Sequence, residues 1–131
     1  MKKETIKVLS IDDEAEVLES LTELLEVAGF DVQSSTDSEK GLTMVKDFMP
    51  DAIVLDIIMP KMDGYQFCRH LKEDPDTKNI PVIFLTGVDP HDDAGRAFAA
   101  GGALFVKKPF LIEELIEVIK VATLATRQHY G

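Results

Sequence analysis

The chain has 131 residues, which fits one domain with one ordinary core. Hydrophobic residues make up 45% and charged residues 29%, a globular balance and not that of a disordered tail. Twenty-four Asp and Glu against 14 Lys and Arg leave a formal net charge of −10, which excludes long-range attraction to nucleic-acid phosphates or anionic membranes.

The first apolar run, residues 6–11, has strand length. It follows Lys2 and Lys3 but stops at Asp12, Asp13 and Glu14, too short for a signal peptide. Val17, Leu18, Leu21, Leu24, Leu25 and Ala28 then form one stripe at helical spacing, and Gly29 closes that first helix. Residues 30–34 alternate apolar and polar, the pattern of an edge strand. Thr36-Asp37-Ser38-Glu39 reads as a capping box, followed by Leu42, Val45 and Phe48 on a second helix that Pro50 stops. Residues 52–55 are a continuous apolar strand. Gly64, Phe67, Cys68 and Leu71 give the third helix, and residues 72–79 a surface loop.

Residues 80–85 are the fourth strand. Ala94, Ala97 and Phe98 mark a fourth helix whose start carries Asp89, His91, Asp92 and Asp93, acids that complement a helix N-terminus. Residues 103–106 are the fifth strand, and Ile112, Leu115, Ile116 and Ile119, led by Glu113 and Glu114, the fifth helix. Cys68, the single cysteine, excludes an internal disulfide and reads as a buried thiol compatible with a reducing cytosol. His70, His91 and His129 have no ligand spacing and read as surface residues. No apolar stretch approaches the roughly 20 residues needed to span a bilayer.

Five alternating strand–helix units predict an α/β doubly wound (βα)5 sandwich of three layers around a parallel sheet. Such sheets bind ligands beyond the carboxyl ends of their strands, where the strand order reverses. The polar residues there are Asp12 and Asp13 after the first strand, Asp56 after the third, Thr86 after the fourth, and Lys107 and Lys108 after the fifth. Carboxylates gathered on one rim repel one another unless a cation is bound. An oxygen-only donor set without His or Cys suits magnesium and argues against zinc. A hydroxyl and an ammonium add donors for phosphate oxygens, completing the parts for phosphoryl transfer. Taken singly, each residue has a plain reading: Asp12, Asp13 and Glu14 would also cap the first helix, and Thr86 and Lys108 would serve in a turn and on a solvated surface.

Four stretches together resemble the receiver family of response regulators, over about residues 6–125. Val8-Leu9-Ser10-Ile11-Asp12-Asp13-Glu14 resembles its acidic pair, and Asp56-Ile57-Ile58-Met59-Pro60-Lys61-Met62-Asp63-Gly64 the segment around its phosphoacceptor. Pro81-Val82-Ile83-Phe84-Leu85-Thr86-Gly87 and Phe105-Val106-Lys107-Lys108-Pro109-Phe110 resemble the other two signatures. The resemblance implies strand order 2-1-3-4-5, a single receiver domain over 1–131 without an output domain, and a signalling switch that catalyses only its own phosphorylation and dephosphorylation. It implies that Asp56 takes a phosphoryl group from a sensor histidine kinase or phosphotransfer protein. By the same carry-over Asp13, Asp56 and the Ile58 backbone carbonyl bind Mg2+, Asp12 acts through water, and Thr86 and Lys108 hold phosphoryl oxygens. Lys108 is preferred to Lys107 because the family's lysine precedes a proline, here Pro109, whose peptide bond is typically cis.

In the family, Thr86 and an aromatic at the position of Phe105 carry the signal to the face of the fourth helix, fifth strand and fifth helix, where an effector protein or a second copy binds. Phe105 lacks the hydroxyl that many members carry there as Tyr, and Gly87 stands where Ala is common. Ile58 and Val88, apolar and two residues beyond Asp56 and Thr86, predict slow loss of the phosphoryl group. The expected setting is the cytoplasm, with no direct nucleic-acid or membrane contact. Two other classes fit the pattern less well. A phosphatase of the haloacid dehalogenase type needs an Asp two residues after its nucleophile, where this chain has Ile58. A phosphorylation-independent interaction domain usually lacks one of the acidic, Thr or Lys positions, all present here.

Overall fold

The computed structural model describes residues 5–57, 59–87 and 104–130, the last four for their backbone alone. Its elements are β1 (Lys7–Ile11), α1 (Ala15–Val27), β2 (Asp31–Ser35), α2 (Ser38–Phe48), β3 (Ala52–Asp56), α3 (Gly64–Glu73), β4 (Val82–Thr86), β5 (Leu104–Lys107) and a C-terminal helix, α4 (Ile112–Tyr130). The helix predicted around Ala94, Ala97 and Phe98 lies outside the described residues, as do Asp89, His91, Asp92, Asp93 and Val88. All strand pairs are parallel, and the order is β2-β1-β3-β4-β5, so the doubly wound α/β architecture and its order are those expected.

Strands with two covered faces explain the continuous apolar runs. Leu9, Ile11, Ile53, Leu55 and Phe84 pack on one side with Val45 of α2 and Phe67, Cys68 and Leu71 of α3. Val8, Val54, Ile83 and Leu85 pack on the other with Leu21 and Leu25 of α1 and Leu115 and Ile119 of α4. Cys68 is buried and free, and burial raises the pKa of its thiol. β2 stands at an edge and shows mostly exposed residues, in keeping with its alternation.

Two local readings need correction, and the surface loop after α3 has an anchor the sequence does not announce. The α1 stripe is narrower than its sequence pattern: Leu18, Leu21 and Leu25 are buried, whereas Val17, Leu24 and Ala28 are exposed, because the sheet covers only one edge of the stripe and the other edge faces outward. The cap of α2 is Asp37 and not Thr36; its carboxylate accepts from the N–H groups of Glu39 at 2.8 Å and Lys40 at 3.2 Å. A reciprocal capping box occurs instead at α3, between Asp63 and Gln66. The loop after α3 is stapled inward: the buried Thr77 donates its hydroxyl to the Leu71 carbonyl at 2.8 Å, and the Lys72 ammonium donates to the carbonyls of Lys78 at 2.9 Å and Ile80 at 3.2 Å. Burial lowers the pKa of that lysine.

Candidate functional site

Strand register builds the site. Ile11 lies opposite Leu55, so Asp12 follows β1 beside the position where Asp56 ends β3. Asp56 pairs with Leu85 and Thr86 with Lys107, which places Thr86 one step and Lys108 two steps further along the same rim. The carboxyl ends of β1, β3, β4 and β5 thus present Asp12, Asp13, Asp56, Thr86 and Lys108 together.

One carboxylate oxygen from each of Asp12, Asp13 and Asp56 lies within 4.8 Å of the others. Asp12 is 2% exposed and doubly anchored: its N–H donates to the Ser35 carbonyl at 3.3 Å, and its carboxylate accepts from the Glu14 N–H at 2.9 Å. The capping reading of this acidic run is therefore partly correct, with Asp12 serving the helix start, while Glu14, at the N-cap position, makes no side-chain cap bond. Asp13 is exposed and Asp56 half-buried. The Lys108 ammonium stands 3.8 Å from Asp12 and 3.9 Å from Asp56. Its backbone N–H donates to the Thr86 carbonyl at 2.8 Å, and the Lys108–Pro109 peptide bond is cis. Lys107 is exposed on β5.

Three carboxylates against one ammonium leave an excess of two negative charges in a pocket of oxygen donors. That donor set fits a hard divalent cation and offers nothing to a soft one. Ile58, whose carbonyl was assigned to the metal, lies outside the described residues. Thr86 is 2% exposed at the end of β4. Phe105 is partly buried, its ring centroid 5.4 Å from that of Phe84. Gly87 is exposed, and a methyl there would meet nothing within 4 Å.

A groove of about 640 Å³ lies between α1 and the start of α4, lined by Val17, Leu21, Leu24, Phe110, Leu111 and Ile112 and edged by Glu16 and Glu113. It adjoins the rim through the chain, since Glu16 follows Asp13 by three residues and Phe110 follows Lys108 by two. Leu111 is 73% exposed there.

Comparison with known proteins decides the family: residues 8–120 match the model of the response regulator receiver domain. The chain belongs to this family. It is a receiver domain of the response regulators of two-component systems, a signalling switch on a flavodoxin-like fold. It is 35% identical over 114 residues to the DNA-binding dual master transcriptional regulator RpaA of Synechocystis, covering 87% of this chain and 47% of that protein. It is 34% identical over 122 residues to the response regulator MprA of Mycobacterium leprae, covering 93% and 53%. The receiver domain thus spans about half the length of the curated relatives it matches. Among solved structures, the chemotaxis protein CheY4 of Vibrio cholerae superposes with a TM-score of 0.86 at 25% identity, covering 91% of this chain and 99% of that one. A receiver domain protein of Clostridium thermocellum gives 0.85 at 30%, covering 94% and 98%.

Gly64 opens α3 as its helical reading expects, and the structure adds a contact that reading did not contain: its N–H donates to the carbonyl of Ile57, the residue after Asp56, at 2.8 Å.

Proposed function

We propose that this receiver domain accepts a phosphoryl group on Asp56 from a phosphohistidine of a sensor kinase or phosphotransfer protein, with Mg2+ as cofactor. The carrying observation is the convergence of Asp12, Asp13 and Asp56 within 4.8 Å, with the Lys108 ammonium beside two of them. An oxygen of Asp56 forms the new bond to phosphorus. The phosphorus–nitrogen bond of the donor breaks, and its electron pair stays on the imidazole. Asp12, Asp13 and Asp56 hold the metal, with the carbonyl of residue 58 as a further donor. When bound, Mg2+ would neutralise charge on the transferring group. Lys108 and Thr86 bind phosphoryl oxygens, so the negative charge that repels the carboxylates is met from the opposite side.

The donor docks over the rim with its apolar side chains in the groove between α1 and α4, whose floor is apolar and whose edges are acidic. Output passes through Thr86 and Phe105 to the face formed by the predicted fourth helix, β5 and α4, where an effector protein or a second receiver binds. The net charge of −10 makes this domain a poor partner for DNA, so we assign any DNA contact to sequence outside it. Among the described residues no helix is long and apolar enough to cross a membrane, which accords with a cytoplasmic setting.

Acetyl phosphate with Mg2+ should add one phosphoryl group, read as a mass gain of the intact protein, and Asp56→Asn should abolish it. Undiminished labelling of that variant would falsify the assignment.

A further inference from the structure

The segment leaving β3 passes against the first turn of α3. A Cβ on Gly64 would stand 2.9 Å from the carbonyl oxygen of Asp56, 2.9 Å from Cα of Ile57 and 3.2 Å from Cε1 of Phe84. Carbon atoms attract best at about 3.5–4.0 Å, so a methyl there falls deep in repulsion. Two of the three contacts are backbone atoms of the segment that carries the acceptor. Gly64 does not have positive φ, so what the position requires is space. Gly29 is the opposite case, with φ of 101° and nothing within 4 Å of a Cβ.

Little around Gly64 can retreat. α3 is fixed by the Asp63–Gln66 capping box and by the fully buried Tyr65, Phe67 and Cys68. Phe84 is fully buried, with its ring centroid 5.1 Å from that of Tyr65 and 5.4 Å from that of Phe105. β3 is paired on both sides, with Asp56 against Leu85 as its last partner. An added methyl therefore presses on the peptide that joins Asp56 to Ile57.

We propose that Gly64 is a positioning residue of the phosphoacceptor: the absence of a side chain lets α3 seat against the Asp56–Ile57 backbone and thereby sets where the Asp56 carboxylate meets the metal. The inference rests on the assignment of Asp56 above. Gly64 has no side chain to offer metal or phosphoryl group and acts through the backbone it packs against. Displacing a ligand's support costs metal affinity as surely as changing the ligand's neighbours does.

The test uses the full chain with Mg2+ as the probe, titrated by amide chemical shifts without a phosphodonor, alongside the initial rate of acetyl phosphate labelling. Gly64→Ala should weaken Mg2+ binding roughly 10- to 100-fold and slow labelling, while unfolding stays cooperative. Gly29→Ala, destabilised by its backbone conformation alone, should keep wild-type Mg2+ affinity. Should Gly64→Ala be largely unfolded, wild type and variant are both titrated in sucrose, which favours the compact state, and the same loss of affinity is expected. Wild-type affinity and rate in the Gly64 variant, or equal losses in Gly29→Ala, would overturn the positioning role. A wild-type protein that neither binds Mg2+ nor takes up phosphate would instead overturn the functional reading.

Discussion

Asp12 and Asp13 are adjacent in sequence and do different work. Asp12 is buried, accepts the Glu14 N–H and so starts α1, while Asp13 is exposed and adds a third carboxylate to the rim. Without a cation, one ammonium faces three carboxylates, and the fold stores their repulsion. Asp13→Asn keeps the shape and removes one charge, so the metal-free protein should gain stability on the order of 1 kcal/mol in urea unfolding. Asp12→Ala, which forfeits the bond to Glu14, should lose stability. An Asp13→Asn variant no more stable than wild type would show that the rim carries no net repulsion. The candidate ligands were legible from residue type and position after each strand. The role of Gly64 was not, because glycine in a helical pattern carries no mark of what stands opposite its missing side chain.

At the scale of elements, periodicity named the type of every described helix and strand, but it overstated the buried face of α1. Leu24 is 48% exposed and Leu25 fully buried, although both lie on the same predicted stripe. Leu25→Ala should cost about 2–5 kcal/mol, and Leu24→Ser within about 0.5 kcal/mol, as read from chemical denaturation. Comparable losses at both would mean that α1 is rotated from the orientation described. The cap of α2 moved by one residue for a related reason. Thr36 and Asp37 both suit the role by type, and only the backbone path out of β2 brings the Asp37 carboxylate onto the Glu39 and Lys40 N–H groups. Between α2 and α3, Lys46 and Asp74 form an ion pair at 2.6 Å that raises the lysine pKa and lowers that of the aspartate, a contact no local pattern announces.

For the whole molecule, a net charge of −10 coincides with a rim that concentrates negative charge, so a divalent cation bound there would add to stability. Free Mg2+ at about 100 times its Kd should raise the unfolding free energy by about 2.7 kcal/mol, whereas NaCl at equal ionic strength should give a much smaller gain through screening. Equal gains from the two salts would mean general screening and no site. The succession of strands and helices, the doubly wound class and the residues at the carboxyl rim could all be read from the amino acids, because hydrophobic period and strand-end position are local properties. It took the folded chain to show how near the Lys108 ammonium comes to the acids, which apolar residues of α1 are covered, and that Gly64 lies against the acceptor's backbone. Those outcomes depend on distances between segments that meet only when β1, β3, β4 and β5 align side by side.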